Sequence, residues 1–198
     1  MFYRSQDPSA PHGLINSCDV PRSIFWITSQ DTDGIANAAP YSFSGAVAYK
    51  PPQVFFAATG LKNGKEADSV ANVRATGEFV VNFPTYDSRE RMNATSAAVP
   101  SEVDEMELAG LEKVASTLVT PPGIAISPIR LECRLRQIVV LAGDDNTLVV
   151  GEVLGYHIRG EFINDGAVDW TAYRPIARMG RADAYTVVEN VFHMSRPG

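Results

Sequence analysis

Hydrophobic positions in the first 60 residues follow the pattern of short strands. β-branched and aromatic residues cluster from Ser23 to Ser29, which predicts a first strand. Asp33-Gly34 predicts a turn, and a second strand should include residues 34–45, "GIANAAPYSFSG". A third strand should cover Val54 to Thr59. Pro51-Pro52 should mark its start, because proline cannot donate to a central ladder.

The pattern becomes helical in the middle of the chain. Apolar residues at positions 67, 70, 71 and 73 predict a short helix that Gly77 ends, and residues 78–84 predict a fourth strand. Asp87 is expected to cap a second helix over residues 88–98. Residues 101–111 have an acidic start that suits a helix dipole and predict a third helical piece.

Strands return in the last third of the chain. Residues 127–143 alternate between apolar and polar, a turn is expected at 144–146, and 147–160 should form the antiparallel return strand. A loop with a short helix is expected over 164–180, and a last strand over 184–192. The sum is a mainly β, α+β protein: an antiparallel barrel with peripheral helices, in one domain over residues 1–198 with an irregular arm at 1–19.

Composition narrows the function classes. The chain has 198 residues, of which 45% are hydrophobic and 20% charged, with a formal net charge of −6. Such a charge argues against non-specific nucleic-acid binding. The polar N-terminus and the lack of a membrane-length apolar run lead us to expect a cytoplasmic protein with no membrane partner. Cys18 and Cys133 have no CxxC spacing and are expected to be free thiols, buried or half-buried.

Motifs for familiar chemistry are missing. The chain contains no GxGxxG, GxxxxGK[ST], GxSxG or HExxH, and its three histidines, at 12, 157 and 193, lack metal-ligand spacing, so no metal site is predicted. On pattern alone, His157 on its strand is more often structural than catalytic. The acidic residues between 102 and 107 are expected to form a solvated helix face, and Arg89 and Arg91 a helix surface.

Three short segments combine small residues with hydroxyls. They are "ITSQ" at 27–30, "NAAPYSFSG" at 37–45 and "ADSVANV" at 67–73. Because the last opens a helix, a serine beside the helix start could help to hold one phosphate. An ordinary helix cap beside a hairpin explains the same residues equally well.

A resemblance goes further than these patterns. The block at 21–57, with its Pro-Arg start, Asp-Gly hairpin and Asn-Ala-Ala-Pro-Tyr-Ser run, resembles the opening of the flavin-reductase-like proteins with an FMN-binding split barrel. "ADSVANVRATGEFVVNFP" at 67–84, "LEC" at 131–133, "GEVLGYHI" at 151–158, "RMGRADAYT" at 178–186 and "FHMSRP" at 192–197 resemble the later blocks in order. The chain is most similar to the branch of flavoredoxin and nitrilotriacetate monooxygenase component B.

The resemblance implies a homodimer that binds a flavin near the subunit interface. The implied flavin is FMN, with FAD as the alternative. Hydride would pass from NAD(P)H to flavin N5, and a monooxygenase component could receive the reduced flavin. Backbone donors at 37–42 would face the polar edge of the ring. The implied flavin contacts are Thr28, Ser29, Asn37, Ala38, Ala39, Pro40, Tyr41, Ser42, Phe43, Ser44, Asp68, Ser69 and Arg178. His157 is the candidate catalytic side chain, and the resemblance allows it and Arg178 to come from the partner subunit.

The chain departs from the family pattern at two positions. Ala67 stands where the family usually has a lysine beside the phosphate, which makes Lys65, Arg74 or Arg89 the candidate substitute. Arg181 stands where a second glycine is common. Two alternatives therefore stay open beside a flavin reductase: an electron carrier or reductase with permanently bound FMN, and a split barrel that has lost its flavin and serves as a binding protein.

Overall fold

The computed structural model describes residues 2–4, 8–11, 13–60, 65–143 and 146–197. Its helices are short: α1 (Leu14–Cys18), α2 (Asp68–Thr76), α3 (Arg89–Ala94) and α4 (Glu105–Leu108), with one 3-10 turn at Gly160–Phe162. Among the residues described, none of these helices has the length and hydropathy to cross a membrane.

Strands dominate the described chain. They are β1 (Arg22–Ser23), β2 (Phe25–Gln30), β3 (Ala36–Tyr41), β4 (Ser44–Tyr49), β5 (Pro52–Ala58), β6 (Glu78–Asn82), β7 (Lys113–Val114), β8 (Gly123–Ile124), β9 (Ile129–Val140), β10 (Thr147–Ile158), β11 (Ile163–Asn164), β12 (Ala167–Val168), β13 (Ile176–Arg178) and β14 (Tyr185–Val187). The main sheet has seven strands in the order β3-β2-β6-β9-β10-β5-β4, and all of its pairs are antiparallel.

The chain connects the two ends of this sheet. β3 and β4 stand at opposite ends of the strand order, yet only two residues separate them in sequence. Ala57 donates its N–H to the carbonyl of Phe43 at 2.8 Å, and the Tyr41 and Phe56 rings pack with centroids 4.8 Å apart. The sheet therefore curls into a barrel, as the sequence predicts.

Two hydrophobic cores occupy the two faces of the sheet. Phe25 and Ile27 pack with Phe56 and Phe79 in one cluster, and Val70 of α2 joins them. The alternate position on β2, Trp26, points the other way because successive strand side chains face opposite sides. It packs with Met92 of α3 and Met106 of α4 in the second cluster. Short helices thus cover the outer face near β3.

A strap, residues 115–124, crosses the outer face of the barrel; it is irregular as far as Pro122 and ends in β8. Polar side chains of the barrel hold it: Thr28 donates to the carbonyl of Pro122 at 2.6 Å, and Asn82 accepts from the N–H of Ile124 at 2.9 Å. Glu132 accepts from the N–H groups of Thr117 and Leu118 at 2.7 and 2.5 Å. These side chains replace the strand partners that the irregular backbone lacks.

Most early elements match the sequence predictions. The predicted strand at 34–45 divides into β3 and β4, and Pro52 begins β5. Gly77 ends α2 with a left-handed φ of 76°, which favours glycine. The arm is not wholly irregular, because it holds α1. The turn predicted at 144–146 includes Asp144 and Asp145, which lie outside the described residues.

Several later predictions are wrong. Ser88, not Asp87, is the residue that directly precedes α3. Its side chain accepts no hydrogen bond from the N–H groups of the first turn of the helix. Residues 164–180 hold strands instead of the predicted helix: most of the small β11–β12 hairpin, and then β13. The 3-10 turn lies before them. The last strand stops at Val187. Cys18 is exposed, although both cysteines are free as expected.

Candidate functional site

The free edge of β3 is the centre of the candidate site. β2 pairs with one edge of β3, and in the described part of the chain no strand of the main sheet pairs with the other edge. Ala38 directs its N–H to the carboxylate of Glu105 at 2.9 Å, and Pro40 has no N–H to offer. The expectation that backbone donors at 37–42 face a ligand is therefore wrong at these two positions.

Asn37 links this edge to the start of α2. Its Nδ2 donates to Glu105, so its Oδ1 is left to accept from Ser69 at 2.7 Å and Ser29 at 3.5 Å. Asn72, one turn further along α2, donates to Ser29 at 3.2 Å. The predicted site residues at 29, 37 and 69 are thus one hydrogen-bonded network, which fixes the distance between strand and helix.

A cavity of about 180 Å³ opens beside this network. Asn37, Ala39 and Tyr41 form its strand wall, and Asp68 and Ser69 form its helix end. Residues 97–101 and Glu105 form the opposite wall. Five of the sequence-predicted residues therefore line one cavity, whose walls combine small side chains with the polar groups of Asn37, Tyr41 and Glu105.

Charges in this cavity are mixed. Lys65 is the one cation among its described lining residues, against the carboxylates of Glu66, Asp68 and Glu105. Glu66 is engaged by Arg74 at 2.7 Å. Of the three candidate substitutes for the missing lysine, only Lys65 faces the cavity.

Tyr41 stays protonated at neutral pH. Burial is the main reason that its pKa rises to about 12, and the charges of Glu105 and Asp68 add to the rise, while a hydrogen bond with Ser69 opposes it. Its hydroxyl is therefore a stable hydrogen-bonding group at the cavity.

The other predicted flavin contacts lie elsewhere. Pro40, Ser42 and Arg178 line a neighbouring cavity of about 230 Å³. Ser44 bonds the carbonyl of Tyr41 at 2.9 Å, and the ring of Phe43 lies 5.5 Å from the guanidinium carbon of Arg22. Thr28 and Ser29 are fully buried, and Ala38 is buried with its N–H on Glu105. The segment at 37–44 is thus shared between two cavities.

His157 is not among the residues that line either cavity. Its Nε2 lies 2.5 Å from Oε1 of Glu132, on the strap side of the barrel. Burial opposes ionisation of Glu132, but the N–H groups of Thr117 and Leu118 and the His157 ring outweigh it and hold the pKa of Glu132 below its usual value. Within one chain His157 supports the strap, and its catalytic role stays a prediction.

Sequence reasoning missed Glu105 and residues 97–101. Glu105 was expected on a solvated helix face, but only 5% of it is exposed. Its neighbours in the sequence give no signal of this burial, because α4 has only four residues and too few positions for a periodic pattern. Residues 97–101 are a loop without a periodic pattern, and only the tertiary fold brings them to the cavity.

Comparison with known proteins places the chain in a family. The family model described as flavin reductase like domain matches residues 17–176. The chain belongs to this family. An uncharacterised relative from Halalkalibacterium halodurans is 31% identical over 188 residues, covering 93% of this chain and 90% of the relative.

Among solved structures, one supports the branch and another the fold. Nitrilotriacetate monooxygenase component B from Bacillus cereus has a TM-score of 0.91 and 27% identity, covering 98% of both chains. Flavoredoxin of Desulfovibrio vulgaris (Miyazaki F) has a TM-score of 0.79 at 16% identity, with 98% of this chain and 97% of that one covered, and shows the fold. The predicted split-barrel fold and its branch are confirmed.

Proposed function

We propose that this flavin-reductase-like protein binds FMN in the cavity beside β3 and reduces it with NAD(P)H. One observation carries the proposal: small side chains, Ala39 on the strand side and Ala97 and Ala98 opposite, face each other across a cavity that has a polar end at the start of α2. Small side chains beside a polar end suit a ring that approaches the backbone and carries a polar tail. Family membership supports the same cofactor class.

The chain's own residues would orient the flavin rather than react with it. Ala39 allows close approach of a ring to the backbone, and the Tyr41 hydroxyl offers a hydrogen bond. Lys65, just before α2, would hold the phosphate end, while the Ser69 hydroxyl donates to Asn37 and so fixes the cavity wall. When bound, flavin would supply the redox chemistry as a hydride acceptor, so the residues of the chain would need only to bind and orient it.

The charge balance favours exchangeable flavin over permanently bound flavin. A phosphate dianion near the start of α2 gains from the helix dipole and from Lys65, but Asp68 opposes it. Flavin that leaves after reduction suits delivery to a separate monooxygenase component, and one structural relative is itself described as a monooxygenase component.

Replacing Lys65 tests where the phosphate lies. For Lys65→Gln we expect FMN to bind about fivefold more weakly, the equivalent of about 1 kcal/mol for one partly exposed charge. Riboflavin, which lacks the phosphate, should bind Lys65→Gln and the wild type equally. Quenching of flavin fluorescence measures both affinities.

Lys113→Gln is the matched control, because Lys113 is a surface lysine paired with Asp104 and Glu107. Its FMN affinity should equal that of the wild type. Equal weakening of FMN and riboflavin by Lys65→Gln would place the phosphate elsewhere.

A reduction assay tests the activity itself. NADH or NADPH added to the protein with excess FMN should bleach the visible flavin absorbance faster than without protein. A yellow protein that keeps its flavin through gel filtration but reacts slowly with both nucleotides would identify an electron carrier instead. Failure to quench FMN fluorescence at all would overturn flavin binding.

A further inference from the structure

The hairpin of β13 and β14 has an open strand edge. The small sheet has the order β1-β13-β14, so among the described strands β14 has a partner on one side only. Val188, directly after β14, donates to the carbonyl of Pro175 at 3.0 Å and so continues the pairing with β13. Because antiparallel hydrogen bonds alternate along a strand, the backbone groups of Tyr185 and Val187 point to the open edge. An edge of this kind can pair with another strand.

A groove of about 420 Å³ lies between this hairpin and α3. All three residues of β14, Tyr185–Val187, line the groove. Successive strand side chains point to opposite faces, so a groove that touches all three reaches the edge of the strand. Its floor is apolar, because Met92 and Ile176 are buried and Val187 packs against the same core cluster. An open edge beside an apolar groove is the arrangement that binds an extended segment, whose backbone pairs and whose alternate side chains fill the groove.

Carboxylates outnumber cations among the described lining residues of the groove. Glu90 and Asp183 line it, with 81% and 84% of their side chains exposed. Arg89 is engaged by Glu90 at 3.4 Å and by the carbonyl of Tyr86 at 2.7 Å. Asp183 has only a 3.8 Å pair with Arg181, and exposed pairs are weak. The groove therefore suits an apolar segment that carries a positive charge.

A segment with these properties follows β14 in the same chain. Residues 188–197 form no helix or strand, and residues 189–197 are exposed. Phe192 and Met194 are 83% and 81% exposed. Being two residues apart, they share one face of an extended backbone, and Arg196 continues that face. Large apolar side chains with such exposure mark a surface that binds another molecule.

The segment stays out of the groove of its own chain. The bond from Val188 to Pro175 and the ion pair of Glu189 with Arg174 at 2.8 Å hold its start in line with β14. To lie along β14 of the same chain, it would have to turn back directly after Glu189. The segment nevertheless begins beside the groove, which Val187 lines. In a two-fold pair each segment can therefore enter the other groove, and the exchange closes with two copies.

We propose that two copies of this chain exchange residues 191–196, and that each segment adds a strand to the open edge of β14 in the other copy. Phe192 and Met194 fill the apolar groove, and Arg196 faces the carboxylates of Glu90 and Asp183. The groove shares no described lining residue with the proposed flavin cavity, so the exchange stands independently of the proposed function.

Loss of the apolar pair should weaken the dimer. For the double variant Phe192→Ser, Met194→Ser, sedimentation equilibrium should give a dimer dissociation constant at least about tenfold above that of the wild type, because the exchange buries both side chains twice. Leu108→Ser, which changes a leucine of α4 that is 64% exposed, should leave the constant unchanged. A monomeric wild type, or a double variant with the wild-type constant, would overturn the proposal.

Reversal of charge tests the position of Arg196. Arg196→Glu should raise the dimer dissociation constant at least about threefold. Adding Glu90→Lys and Asp183→Lys to the same chain should restore it, because the charges are then opposite again. A general loss of folding would not be restored in this way. Failure of the reversed pair to restore the dimer would contradict the contact of Arg196 with these carboxylates.

Cross-linking shows which copy the segment lies on. All samples carry Cys18→Ser to remove the exposed thiol, while Cys133 is buried. One sample also carries Met194→Cys, and a second carries Asn93→Cys on the groove wall. After mixing and mild oxidation, disulfide-linked pairs should exceed those of either sample alone and those with Arg136→Cys on β9 as the second partner. No excess, or a chain with both cysteines that links only to itself, would overturn the exchange.

Discussion

Glu105 is a buried carboxylate on a helix of four residues. It accepts from Asn37 and from the N–H of Ala38, and so fixes which way the Asn37 amide points. Because a carboxylate only accepts, Asn37 Nδ2 must face it and Oδ1 must face Ser69. One side chain thereby sets the hydrogen-bond pattern of the cavity wall.

Glu105→Gln should be costly although it is isosteric. Asn37 Nδ2 and the N–H of Ala38 both donate to one oxygen, Oε2, and a neutral glutamine oxygen in its place would accept these two bonds without the negative charge that strengthens them. We expect a loss of about 1–3 kcal/mol in the free energy of unfolding, measured by urea denaturation. Glu107→Gln, on the same helix with 74% of the side chain exposed, should change it by less than about 0.5 kcal/mol. Similar losses in both variants would show that Glu105 does not anchor the edge.

At the scale of elements, the strap at 115–124 depends on the barrel rather than on its own sequence. Its backbone N–H groups bond to Glu132, Asn82 and Glu78, which come from β9 and β6. The two prolines at 121 and 122 show a loop in the sequence, but they do not show where the loop lies. The position of the loop is decided by the side chains of β6 and β9 that point to the outer face of the sheet.

Glu132→Gln tests the strap and its pH dependence. The amide would place an NH₂ group against the N–H of Thr117 or Leu118, so the free energy of unfolding at pH 7 should fall by about 1–3 kcal/mol. Glu132 has a lowered pKa in the folded state, so its contribution is present above the unfolded pKa of about 4.3 and is lost as pH falls.

The difference in the free energy of unfolding between wild type and Glu132→Gln should therefore become smaller below about pH 4, as urea midpoints at several pH values would show. Glu161→Gln, whose partner Arg159 is also on the surface, should have the same midpoint as the wild type at pH 7. A gap that stays constant down to pH 2 would contradict an ionised Glu132.

At the scale of the whole molecule, β4 ends the sheet order with exposed apolar side chains. Tyr49 is 90% exposed and Val47 is 58% exposed. Large apolar groups on an edge strand mark an association surface. We propose this edge as the interface of the homodimer that the resemblance implies.

Light scattering should give twice the 21.5 kDa of one chain. Tyr49→Lys should shift the protein toward monomer, whereas Leu108→Lys, 64% exposed on α4, should not. A single-chain mass for the wild type at all concentrations would exclude the dimer.

Local patterns in the sequence determined the elements that fold by local rules. Period and composition predict the strands β2, β5, β9 and β10. Because glycine adopts a left-handed φ easily, Gly77 predicts the end of α2. The ordered blocks determined the family and its barrel. The small residues at 37–44 predict a flavin wall, and the structure divides that segment between two cavities.

Only the tertiary structure decided what faces that wall. Glu105 and residues 97–101 reach it from about 60 positions away in the chain, and closing so long a loop leaves no local sequence signal. The barrel also directs alternate side chains of one strand to opposite faces, so neighbours such as Ala39 and Pro40 line different cavities. Sequence fixes which side chains a strand offers, and packing decides which of them share a site.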